Sequence, residues 1–198
     1  LESSCFLRKL GMKISEYEIY KILSIVGGIP WYLEQFDPEV TVDENIKRLA
    51  FEQDGLLVTE FDRIFHDLFN GKGSIYKKIL ESLNNGARTL AEIRQDIEFS
   101  RSGTLSQMMG HLIVAGFVVK QPLWSFKTSK PLKQSLYIIS DPYMRFYFKV
   151  IVPNLEAILG GEFDQIPLST MPGFDTHMGL QLESLLLQNR SLLLQKLG

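Results

Sequence analysis

One cysteine, Cys5, stands among 198 residues, so no intramolecular disulfide can form, and that usage suits a reducing cytosol. Long apolar runs are lacking too. The leucines near the C-terminus are interrupted by Gln188, Asn189 and Arg190, and nothing approaches the ~20 apolar residues of a membrane span. Leu1–Glu2 offers no basic region ahead of an apolar one, so a secretory signal is not expected. The expected setting is cytoplasmic, with no membrane partner. There is no initiator Met, and the chain stops at Gly198 within a helical pattern; the expectation is a fragment of a longer protein.

Catalytic signatures are as sparse. His66, His111 and His177 lie far apart, outside the Cys/His and Glu/His spacings that bind metal, and are expected as surface or core histidines. There is no GxSxG, and Cys5 has no His nearby in sequence. There is no GxxxxGK[ST] phosphate loop, so the chain cannot hydrolyse a nucleotide by that mechanism alone. Asp62, His66 and Asp67 are most simply a polar helix face. No catalytic residue, metal site or cofactor is therefore assigned to this stretch, and no enzymatic activity is expected of it alone.

What is present is an uneven charge distribution. The chain carries a formal net charge of −2. Residues 1–69 hold 7 Lys/Arg against 13 Asp/Glu, residues 70–140 hold 10 against 4, and residues 141–198 hold 4 against 6. From Phe99 to Ser140 there is no acidic residue at all. Positive charge confined to one segment is the footprint of a polyanion partner. It is equally that of a solvated face balancing the acidic first third.

The hydrophobic periodicity is mainly helical. A helix is predicted over 15–26, stopped by Gly27–Gly28, with Pro30 opening a short helix through Phe36. Thr41-Val-Asp-Glu44 has capping-box spacing and opens another to Phe51. Residues 56–64 are expected as a short extended stretch followed by a helix to about Phe69. Then come a helix over 74–83, a second capping box at Thr89-Leu-Ala-Glu92, and a third helix over 101–115 with Leu105, Met108, Met109, Leu112 and Ile113 on one stripe. Residues 117–120 and 136–139 are predicted strands, joined by a lysine-bearing loop. An aromatic helix over 143–152, a Gly/Pro-rich linker over 160–173 and a Leu-rich helix over 180–197 complete the chain.

Helix, helix, turn, helix, strand, loop, strand is the winged helix order. In such a module the third helix enters the major groove. Off its apolar stripe lie Arg101, Ser102, Thr104, Ser106, Gln107 and His111. Arg can be bidentate to guanine and Gln to adenine, while Ser and Thr suit phosphates. Lys120, Lys127, Lys130 and Lys133, in and beside the wing, are placed for the backbone or an adjacent minor groove. A winged helix can also serve as a protein-docking module with its polar residues merely solvated. Gly103 and Gly110 each cost the reading helix about 1 kcal/mol relative to Ala.

Several passages, taken in order, resemble the archaeal-type ATPases, a branch of the signal-transducing (STAND) P-loop ATPases. GGIPWYLEQFD at 27–37 is similar to their lid segment. NIKRL at 45–49 with Leu56–Leu57, and SIYKKIL at 74–80, resemble the passages that follow. YIISDPYMRFYF at 137–148 is similar to the family's Y-x-I-x-D-P-F-x-R-F-W-F after the wing. The resemblance implies that Gly28 and Pro30 belong to a G-x-P lid motif that senses the nucleotide, although locally they are a helix stop and start. It implies ATP and magnesium as cofactors of the full-length protein, and that protein's own ATPase core as a partner; duplex DNA is the partner expected from the winged helix pattern itself. It implies that 174–198 begins a restriction-endonuclease-like domain, with Glu183 at the place of a metal-associated acid or simply on a helix face.

The expected architecture is mainly α with a small β-wing. It comprises a helical lid subdomain over 1–69, a winged helix–turn–helix over 70–140, an aromatic helix and linker over 141–173, and a truncated nuclease-like start over 174–198. The expected function is a DNA-binding regulatory module of a nucleotide-switched ATPase. The alternative is a winged helix that docks on the ATPase core and inhibits it.

Overall fold

A computed structural model describes residues 2–69, 73–100, 102–125 and 130–197. In chain order the elements begin with α1 Glu2–Lys9, α2 Glu16–Val26, α3 Pro30–Leu33, α4 Val42–Ala50 and α5 Leu56–Phe69. Next come α6 Gly73–Asn84, β1 Arg88–Thr89, α7 Leu90–Asp96, α8 Ser102–Val114, β2 Val118–Ser125 and β3 Lys130–Ile139. Finally α9 Pro142–Phe146 runs through a π turn, Tyr147–Ile151, into α10 Val152–Leu159. A 3-10 turn Leu168–Thr170, α11 Phe174–Gln188 and α12 Arg190–Leu197 complete the order. The protein is mainly helical with a small three-stranded antiparallel sheet, β1-β3-β2.

The chain divides into two compact units, one made of Leu1–Val58 with Lys149–Gly198, the other of Thr59–Phe148. The expected boundaries at 69/70, 140/141 and 173/174 do not coincide with this division. It is the packing of the two chain ends that sequence periodicity could not disclose. In the discontinuous unit the Tyr20 hydroxyl donates to the Met178 carbonyl at 2.6 Å, and Gln181 Nε2 donates to the Ser24 carbonyl at 2.9 Å. His177, fully buried, sits 2.8 Å by Nε2 from that same carbonyl. Phe51 meets Phe163 edge to face at 5.8 Å, and Lys47 Nζ donates to the Asp164 carbonyl at 2.9 Å.

Three expectations are corrected within the elements. Residues 56–64 are not extended: α5 starts at Leu56 and buries Leu57, Val58, Phe61, Phe65 and Phe69 along one face. The run Leu56–Leu57–Val58 resembles a strand only while that longer stripe is overlooked. Residues 160–173 are not a loose linker, since Phe163, Leu168 and Met171 are buried. The Leu-rich pattern after 180 is two helices, α11 and α12, parted at Asn189.

The aromatic helix is interrupted for a reason visible in the sequence. Pro153 has no N–H for the Lys149 carbonyl, and its ring would collide with that carbonyl in a regular helix. The π turn over Tyr147–Ile151 absorbs the misfit. Asn154 Nδ2 then donates to Val150 O at 2.7 Å and to Pro172 O at 3.1 Å, tying the start of α10 to the chain that precedes α11.

The Thr59–Phe148 unit is built on stacked rings. Phe61 lies 4.3 Å from Phe65 and 4.3 Å from Tyr147, and meets Phe148 edge to face at 5.2 Å. Phe65 reaches Phe117, and Phe69 stacks on Tyr76 at 3.7 Å. Burial among these rings, with the charges of Asp62 and Glu81 behind it, pushes the Tyr147 phenol up to about 12. This core braces α6 and the strands, and so positions α8.

Candidate nucleic-acid interface

α8 is amphipathic in the manner its sequence predicts. Leu105, Met108, Met109 and Leu112 are buried, while Thr104, Ser106, Gln107, His111 and Val114 are exposed. Thr104, Gln107, His111 and Val114 recur at spacings of three and four, so they form one outward stripe. Gly103 and Gly110 lie along it, and a Cβ at either would meet nothing within 4 Å. Packing inside the protein does not require these two glycines.

α8 is held in place from both sides. Tyr76 Oη and His111 Nδ1 are 2.7 Å apart, tying α8 to α6, with the direction of the proton set by the imidazole tautomer. Burial raises the Tyr76 phenol above its ordinary range. The Ser82 hydroxyl donates to Asp96 at 2.6 Å, tying α6 to α7. The capping box expected at Thr89 is present: Glu92 accepts from the Thr89 N–H at 2.7 Å and hydroxyl at 2.8 Å, which lowers its carboxyl pKa. At the other end of α8, Gly116 N–H donates to Ile113 O, and the chain turns into β2.

β2 and β3 are longer than the short strands expected. They pair antiparallel from Val118↔Ile139 to Ser125↔Lys130, with an irregularity between Pro122 and Trp124. Pro122 cannot donate to the ladder, which accounts for a break there. β1, too short and too mixed in polarity to show a period, adds Arg88↔Tyr137 and Thr89↔Leu136 on the other side of β3. Lys120 and Lys130 are exposed on this pair. Arg101 and Lys127 lie outside the described residues, as do the side chains of Ser102 and Lys133. Of the expected reading residues, therefore, Thr104, Ser106, Gln107 and His111 share the exposed side of α8, and Lys120 and Lys130 lie on β2 and β3. Arg94, exposed on α7, escaped the sequence reading, because no helical period relates it to a strand.

The remaining sequence candidates fall in the other unit. Gly27 ends α2 at φ +66, a conformation that favours glycine, and donates to Leu23 O at 3.0 Å. A Cβ on Gly28 would stand 3.0 Å from Ser3 Oγ, and Pro30 opens α3. These roles are local, and the chain has no phosphate loop for a nucleotide to occupy. Among the described residues no group of three or more His, Cys, Asp or Glu could hold a metal. Glu183 is exposed on α11. Among the described residues no helix is long and apolar enough to cross a membrane.

The final passage of the family resemblance has a structural account. Asp141 caps α9 by accepting from the Met144 N–H at 2.7 Å, and Pro142 occupies the first helical position. Arg145 donates to Ile139 O at 2.6 Å, fastening the end of β3 to α9. Burial pushes the Asp141 carboxyl up, with the Met144 N–H and the Arg145 charge opposing it.

No family model matches the chain. Over 153 residues, 74% of this chain, it is 35% identical to an uncharacterized protein of Methanocaldococcus jannaschii. The chain spans about a third, 32%, of that protein's length. No solved structure matches.

Proposed function

We propose that the Thr59–Phe148 unit carries a winged helix–turn–helix that grips duplex DNA. On this reading it regulates a nucleotide-switched ATPase of the archaeal type, whose full-length form uses ATP and magnesium. The observation that carries it is the outward stripe Thr104, Gln107 and His111 on α8, standing in one unit with the exposed Lys120 and Lys130. The unit holds 12 Lys/Arg against 8 Asp/Glu, whereas the remainder of the chain holds 9 against 15. That imbalance favours a polyanion on this unit. Gly28 and Pro30 would belong to the nucleotide-sensing lid, and this chain alone would have no catalytic activity.

The test is the affinity of the chain for random-sequence duplex DNA across a salt series. The expected result is a linear fall of log Kobs with log salt, and weaker binding when Lys127, Lys130 and Lys133 are changed together to Glu. No affinity even at low salt, or no effect of the triple change, would overturn the reading.

One observation favours a second reading, a module that docks on the ATPase core. Val114, on the α8 stripe, is 90% exposed, and an apolar side chain there suits a protein surface better than phosphates. Val114→Asp separates the two. It should abolish docking on the core while reducing duplex affinity only through its added negative charge.

A further inference from the structure

A pocket of about 360 Å³ opens between α7, the start of α8 and the paired strands β2 and β3. That volume lies within the ~300–1,000 Å³ of small-ligand sites. Its floor is apolar: Leu90, Leu105 and Tyr137. Its rim carries Arg94, Lys120, Gln134 and Ser135. The strand register explains the grouping. Lys120 stands opposite Tyr137, and Ser135, two residues from Tyr137, shares its face of the sheet. α7 brings Arg94 to the same opening.

The charge of the pocket is one-sided. Among the described residues no carboxylate lines it. Glu92, on the first turn of α7, is taken up by the Thr89 N–H and hydroxyl. Asp96 accepts from Ser82 and lies 3.7 Å from Arg88 Nε. Among the described residues Arg94 and Lys120 are in no ion pair. Two cations and two neutral donors around an apolar floor, with no acid among them, form a receptor for an oxyanion.

We propose that this pocket seats a phosphate group between Arg94 and Lys120, with Ser135 and Gln134 as neutral donors. The source we assign is a backbone phosphodiester of bound duplex, and that assignment rests on the DNA reading above. Leu105 belongs to the floor, and its neighbours Thr104 and Ser106 are exposed on α8. A phosphate anchored here would therefore set the register of the strand that α8 reads, leaving sequence discrimination to Gln107 and its neighbours. Leu90, Leu105 and Tyr137 would meet the sugar.

The experiment compares the 198-residue chain with Arg94→Gln/Lys120→Gln and with the charge-retaining Arg94→Lys, all first shown to melt alike. Two titrations are run on each: a duplex of random sequence over a salt series, and inorganic phosphate or adenosine monophosphate followed through backbone amide shifts. For the double variant the log Kobs against log salt slope should shrink by up to about two, with affinity falling more than tenfold near 0.1 M salt, while Arg94→Lys keeps most of both. Wild-type duplex binding with an unchanged slope in the double variant overturns the pocket and leaves the DNA reading standing. No duplex binding, but phosphate-induced shifts at Lys120 and Ser135 that the double variant loses, keeps the pocket with a small-molecule source and overturns the DNA reading. Silence in both titrations overturns both.

Discussion

Asn45 is completely buried, and its side chain is fully engaged. Nδ2 donates to Asp37 O at 2.8 Å and Thr41 O at 3.2 Å, while Oδ1 accepts from the Asp37 N–H at 2.8 Å and from Arg48 at 2.9 Å. One amide therefore holds the 37–41 turn against the helix that follows it. Asn45→Ala would strand at least two backbone groups away from water, and should cost about 2–3 kcal/mol in urea unfolding. A cost under 0.5 kcal/mol would mean that water replaces the amide. The sequence placed Asn45 in a family passage, but nothing in its spacing pointed to this role. Hydrogen-bond closure depends on the path of the chain before it, which periodicity does not record. His177 is similar: its burial against Ser24 O joins residues 153 apart in sequence. Thr104 and Gln107 were legible by contrast, because solvent exposure on a single amphipathic helix follows from period alone.

The helices of this protein are fastened at their starts. Ser15 with Glu18, Thr41 with Glu44 and Thr89 with Glu92 each close a reciprocal capping box. The second and third are plain in the sequence, and the first has the same S-x-x-E spacing. In each box the hydrogen bonds from the capping residue lower the glutamate pKa below its ordinary 4.5. A carboxylate held low in the folded state stabilises fully above its unfolded value and loses that contribution as pH falls through the folded one. Stability should therefore drop below about pH 4.5, and Glu18→Gln/Glu44→Gln/Glu92→Gln should flatten the drop while keeping the caps. Urea midpoints read from pH 7 to pH 3 check this; an equally steep fall in the triple variant would contradict it.

α8 makes an opposite prediction. Gly103 and Gly110 face open space, so Gly110→Ala should raise thermal stability by up to about 1 kcal/mol through helix propensity. A loss would reveal a steric need that the packing does not show. The sheet was half legible: the apolar cores of β2 and β3 showed at 117–120 and 136–139, but their polar extensions and the two-residue β1 carry no alternation of their own. Their existence is decided by pairing to β3.

At the scale of the molecule, charge and fold divide along different lines in sequence and in space. Residues 1–58, most of the acidic first third, and the two C-terminal helices contribute to one discontinuous unit, while Thr59–Phe148 keeps a positive balance and the α8 face. Nothing in composition announces that residues 1–58 and 149–198 fold together, since long-range closure leaves no local period. The aromatic stack does imply where the second unit is most sensitive. Phe61 touches Phe65, Tyr147 and Phe148 at once, and Phe61→Ala should cost about 3–5 kcal/mol. Denaturant unfolding checks this, and a cost near that of an exposed residue would count against the stack as the centre of the unit. Whether the proposed DNA contact runs through α8 and the strand pair is read out by mapping amide shifts of the whole chain on addition of a short duplex. The shifts should gather at Thr104, Gln107, His111, Lys120 and Lys130. Shifts gathered instead within 2–58 or 149–197, or none at low salt, would contradict it.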